Sequence, residues 1–227
     1  VVSVERHSAE DHARVSQAIA AAESTSDGEI VTMVTDLSDR YHDVALHWAV
    51  AAMIAVLALS AAFARCVEAW VDRLFGGWGA QHTTGQLLFF VMVLAVLAFT
   101  VVLLALRHMP LRLALTPGAT KTRRVRRRAI AMFKAAAERR TIGRTGILIY
   151  LSMGEHRAEI IADEAIVNVT EPDTWGEAMA SLVGEVREGR PIEGMVQAIE
   201  QVGVVLTRHF PRSATDRNEI PDKLIEL

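Results

Sequence analysis

The feature that most constrains this chain is a pair of long apolar blocks. Residues 44–64 read VALHWAVAAMIAVLALSAAFA, with His47 the only titratable side chain, and residues 87–106 read LLFFVMVLAVLAFTVVLLAL, with no charge. A helix rises about 1.5 Å per residue, so roughly 20 apolar residues cover a 30 Å hydrocarbon core. Both blocks reach that length. Burial of both in a soluble core is the other solution, but the flanking sequence is too short to wrap two helices that are apolar on every side. The sequence predicts transmembrane helices over 44–64 and 87–106 and a protein whose first partner is the lipid bilayer. The mostly polar residues ahead of the first block separate it from a signal peptide.

Lys and Arg near the membrane set orientation. Arg107, Arg112, Lys121, Arg123, Arg124, Arg126, Arg127 and Arg128 follow the second block, whereas the 65–86 connector holds only Arg65 and Arg73, beside Glu68 and Asp72. Both termini are therefore expected on the cytoplasmic side, with the connector outside. In the connector Val67, Trp70, Val71, Leu74 and Phe75 recur at helical spacing and Trp78 follows two glycines, a pattern suited to the headgroup level. The basic run 121–128 reads as a stop on translocation that is also compatible with anionic lipid. Nucleic acid is not expected as a partner: net charge is −3, the pI is about 6.3, and no aromatics interleave with the basic run. The single cysteine, Cys66, excludes an intramolecular disulfide.

The remaining sequence reads as one α/β domain split by the hairpin. Ser8 and Asp11 form a capping-box pattern ahead of Val15, Ala18, Ile19 and Ala22 at helical spacing. Asp27-Gly28 marks a turn before a strand over 29–35 that alternates in polarity. One helix and one strand bury too little to fold alone, so they need the sequence after the hairpin. There a basic helix over 123–140 carries Val125, Ala129, Met132, Phe133 and Ala136 on one stripe, and strands over 146–152 and 158–163 flank a turn. Asp173 or Thr174 caps a helix ended by Gly189, and Pro191 opens another with Ile192, Met195, Val196, Ile199, Val202, Leu206 and Phe210 on its buried side. Parallel pairing of the first two strands through the basic helix completes the expected layout. The segments are 1–43, 44–64, 65–86, 87–106, 107–140, 141–211 and a polar, loosely held tail over 212–227.

The order TSDGEIVTMVTD, RRTIGRTGILIYLSMGEHRAEIIADEAI and two helices ending in HFP resembles the TPM domain, in its bacterial membrane branch with an inserted hairpin. Gly146, Glu155, Glu159, Ile160 and Asp163 carry the resemblance, which spans about residues 5–212. It implies an α-β-α sandwich with a small mixed sheet, in a cell inner membrane. It also implies divalent-metal binding, phosphatase activity in some members, and accessory roles in membrane complexes.

Two clusters could carry chemistry. Strand pairing puts Asp163 beside Arg144 and Thr145, with Asp27 at the same end, so Asp27, Asp163 and Glu164 are the candidate ligands for Ca²⁺ or Mg²⁺. Turn capping by Asp27 and Asp163, or pairing of Asp163 with Arg144, is the alternative. The opposite end gathers Asp36, Asp39, Glu155 and His156, where a histidine beside carboxylates suits acid–base work, although a solvated hairpin turn is the expected state of Glu155 and His156. No zinc-protease helix, phosphate loop or serine elbow is present, so a phosphatase would depend on metal-activated water. The expected function is a binding, accessory or assembly factor for a membrane or envelope complex, with divalent cation as a candidate ligand and a metal-dependent phosphatase as the rival.

Overall fold

The computed structural model describes residues 7–75, 83–136, 145–171, 173–213 and 220–227. Two compact units divide the chain, one made of 1–39 with 118–227 and the other of 40–117. Arg144, Trp78 and the end of the expected basic helix, 137–140, lie outside the described residues.

The discontinuous unit is mixed α/β. Helix α1 (Ala9–Glu23) starts at the expected capping box, where the Asp11 amide donates to Ser8 Oγ at 3.1 Å and the Ser8 amide to Asp11 Oδ2 at 3.0 Å. Strand β1 (Glu29–Thr35) follows. The polarity alternation expected of a half-exposed strand does not hold, because every residue of β1 is buried, including Glu29, Thr32 and Thr35. Its central place in the sheet covers both faces.

Within the other unit, α2 (His42–Ala62), α3 (Ala64–Phe75), α4 (Thr84–Ala105) and the short α5 (Met109–Ala114) follow in turn. Helices α2 and α4 pack together and α3 touches both. Both long helices begin slightly earlier than the apolar blocks, with Thr83 and Gln86 forming a capping box for α4. Arg112 is not the surface charge its place in the basic count suggests. It is buried, and its guanidinium donates to the Leu106 carbonyl at 2.8 Å and the Arg40 carbonyl at 2.6 Å. It thereby ties the chain after α4 to the chain before α2.

Back in the first unit come α6 (Gly118–Ala136), β2 (Gly146–Ser152), β3 (Arg157–Ala162), α7 (Glu164–Val167), α8 (Gly176–Arg187), α9 (Pro191–His209) and β4 (Leu224–Glu226). The sheet order is β3-β2-β1-β4, with β1–β2 and β1–β4 parallel and β2–β3 antiparallel. Ile30, Val34, Ile147, Ile149 and Leu151 face a core built with α1, α8 and α9. Val31, Met33, Leu148 and Tyr150 face Val125, Ala129 and Phe133 of α6. This is a small mixed sheet between helical layers.

Three expectations are corrected. The tail is not loosely held throughout, since β4 pairs Thr32 with Leu224 and Val34 with Glu226. Asp163 lies outside β3, at the N-cap of α7. Helix α8 starts after Trp175 rather than at Asp173 or Thr174. Gly189, at φ +78, and Pro191 at the first turn of α9 do make the expected break between helices.

Candidate functional sites at the two ends of the sheet

At the end where β1 and β2 begin, Asp27 and Asp163 lie as the strand pairing requires. Thr145 Oγ1 donates to the Asp27 carbonyl at 2.8 Å, and the Asp163 amide donates to the Gly146 carbonyl at 2.9 Å. Asp27 also braces the chain after α9, accepting from the Ser213 amide at 2.6 Å on Oδ1 and donating from its own amide to the Phe210 carbonyl at 2.9 Å. Asp163 is buried and Glu164 is exposed. Among the described residues, no three His, Cys, Asp or Glu side chains group so as to hold a metal ion.

A different acidic group sits at this end and escapes the sequence reading. Glu23, Glu29 and Asp222 line a cavity of about 120 Å³ with Arg212 and Ser26. Glu29 is buried and Oε2 accepts from the Ile220 amide at 3.1 Å, while Glu23 Oε1 accepts from the Ile30 amide at 2.7 Å. Burial, followed by the negative charges of Glu29 and Asp222, pushes the Glu23 carboxyl up to about 8, against the lowering effect of the Ile30 amide. Glu23 Oε2 is buried and has no donor facing it among the described residues. The far end of the segment that carries Asp222 is held by α1 and the residue before its cap, with the His7 amide 3.1 Å and His12 Nε2 3.3 Å from Glu226 Oε1.

The opposite end holds a polar network, beside which Asp36 Oδ1 is buried without a hydrogen-bond partner among the described residues. Glu155 is buried, not the solvated turn residue expected. Its carboxylate accepts from the Ser38 amide at 3.0 and 3.2 Å and from the Ser152 hydroxyl. The Ser38 hydroxyl lies 3.1 Å from the Tyr150 hydroxyl, and desolvation, more than nearby Glu155, raises the Tyr150 phenol. Asp39 pairs with Arg124 at 3.0 Å. His156 is exposed with φ +48, so the turn directs Glu155 inward and His156 outward, and no acid–base pair is assembled from them. The network joins the chain after β1 to the β2–β3 hairpin, reinforced by amides of Met153 and Gly154 donating to the Thr35 and Asp36 carbonyls, each at 2.9 Å.

Close approach at this joint makes Gly154 sensitive. A Cβ there would lie 2.8 Å from both the Asp36 carbonyl oxygen and a Leu37 methyl, whereas one on exposed Gly184 in α8 would meet nothing within 4 Å. Gly154→Ala is expected to destabilise by about 1–3 kcal/mol through overpacking, and Gly184→Ala to stabilise by up to about 1 kcal/mol through helix propensity. Denaturation midpoints of the two variants in detergent should move in opposite directions.

No family model matches the chain, and no curated protein matches it. Among solved structures, it is similar to the NMR structure of BA42 protein from the psychrophilic bacterium Bizionia argentinensis, at 16% identity and a TM-score of 0.56, covering 100% of each chain. That likeness concerns the α/β fold alone.

Proposed function

We propose that α2 and α4 cross a membrane and anchor a TPM-like α/β domain that works by binding, as an accessory or assembly factor for a membrane or envelope complex. The observation that carries this reading is the surface of the inserted unit. The spans in α2 and α4 have mean hydropathies of 2.1 and 3.2, yet only 17% and 6% of their residues are buried. Large side chains such as Ile54, Leu59, Leu88, Phe89 and Met92 are exposed. Full transfer of such a side chain from water to an apolar phase contributes about 1.5–3 kcal/mol, and the half or more that each leaves exposed makes a hydrocarbon environment the favourable one. The excess of basic residues after α4 supports a topology with both termini on the cytoplasmic side of a bacterial inner membrane.

In the α/β domain the Glu155 carboxylate is already occupied by Ser38 and Ser152 within the fold, which favours a recognition surface over a reaction centre at that end. The phosphatase alternative would have to work through Asp163. Turnover of a phosphate ester by the purified chain, abolished in a folded Asp163→Asn variant together with calorimetric binding of Ca²⁺ or Mg²⁺, would replace the binding reading.

Exposed Cys66, which lines an apolar groove with Phe63, Trp70 and Phe90, reports topology directly. A membrane-impermeant thiol reagent is expected to label it on intact cells. Labelling that appears only after permeabilisation, with a thiol reactive in detergent, would contradict the outward connector.

A further inference from the structure

We infer that the outer face of α6 docks on anionic phospholipid headgroups, an inference that rests on the membrane reading above and names a partner for the α/β unit. Helix α6 carries Lys121, Arg123, Arg124, Arg126, Arg127, Arg128 and Lys134 and no acidic residue. Some of this charge is used within the unit: Arg124 pairs with Asp39, and Arg126 lies close enough to Glu159 to favour its charged form. Val125, Ala129 and Phe133 point into the core. Arg123, Arg127, Ile130 and Lys134 fall on another face, at spacings of four, three and four residues. Arg123, Arg127 and Ile130 are exposed there, and no carboxylate among the described residues pairs with Arg123, Arg127 or Lys134.

A stabilised α-helix does not need this arrangement. Like charges four residues apart repel, and basic residues in the first turns oppose the helix dipole. An anionic surface removes both penalties. Phosphate groups present that surface as a plane, and α6, about 28 Å long, lies along the chain only a short way past α4. Ile130 in the middle of the basic face supplies an apolar contact of the kind that interfacial helices sink below the headgroups. The long stems of Arg and Lys let their charged ends reach the phosphates while α6 stays packed on the sheet.

The test uses the full chain in nanodiscs, with Cys66→Ser and a bimane fluorophore on Ile130→Cys. Lipids carry a headgroup spin label as quencher, in phosphatidylcholine alone or mixed with phosphatidylglycerol. Quenching at least severalfold stronger in the anionic discs, reversed by high salt and lost in Arg123→Gln/Arg127→Gln/Lys134→Gln, is the expected result. Equal quenching in both lipids, or quenching that the triple variant retains, overturns the inference. A chain that enters the discs but shows no quenching removes the docking while leaving the membrane anchor intact. A folded chain that does not enter the discs at all removes both.

Discussion

Glu155→Ala is expected to destabilise the α/β unit by about 3 kcal/mol, an effect as large as truncating a buried apolar side chain of the sheet. The Glu155 carboxylate accepts from the Ser38 amide and the Ser152 hydroxyl inside the fold. Hydrogen bonds to a charged group contribute about 1.5–3 kcal/mol each, and the donors left behind would be buried without an acceptor. The chain after β1 would then lose its hold on the β2–β3 turn. His156→Ala, one residue away but exposed, should change stability by no more than about 0.5 kcal/mol. Thermal unfolding of the two variants in the same detergent separates the readings. If both residues served one solvated acid–base site, the two substitutions would leave stability nearly alike, and the structural role of Glu155 would be lost.

That contrast also shows where sequence reading reaches its limit. Strands β1 and β2 are legible to the residue because β-branched runs lie between Gly or polar turns, and the amphipathic stripes of α6 and α9 repeat clearly enough to assign their buried faces. The Ser8–Asp11 box is local chemistry and survives intact. Other features depend on contacts that no local pattern encodes. Strand β4 is three residues long inside a polar tail, and only Thr32, Met33 and Val34 of β1, far off in sequence, give it a partner. Glu155 sits after Gly154 in a tight turn, which locally looks solvated, and its acceptor role needs Ser38 from another part of the chain. The strand pairing does bring Asp27 and Asp163 to one end, as deduced from alternation and direction. Yet the charged cavity there is made by Glu23, Glu29 and Asp222, drawn from a helix end, a buried strand and the tail. Carboxylates so distant in sequence carry no spacing signal, and the one faint cue is the density of acids in the tail.

The second large effect is a pH dependence centred on Glu23. Its carboxyl titrates at about 8 in the folded chain against an ordinary value of 4.5, so folding takes up a proton between those values. The stability this proton confers is fully present below pH 4.5 and is lost as pH rises through 8. Burial is the main cause, the Ile30 amide tempers the effect, and the charges of Glu29 and Asp222 strengthen it. Glu23 ends α1 and shares its cavity with Asp222, in the segment that carries β4, so loss of the proton should be felt first there. Glu23→Gln keeps an acceptor for the Ile30 amide and carries no charge to set against Glu29 and Asp222. It should therefore gain stability relative to the native chain on going from pH 5 to pH 9, by on the order of 2 kcal/mol after solvent screening. Amide exchange across 220–227 should accelerate with pH beyond the intrinsic chemical rate in the native chain, and much less in Glu23→Gln. If the two proteins keep a constant stability difference over this range, Glu23 is already ionised at neutral pH, and its protonation does not hold the C-terminal strand.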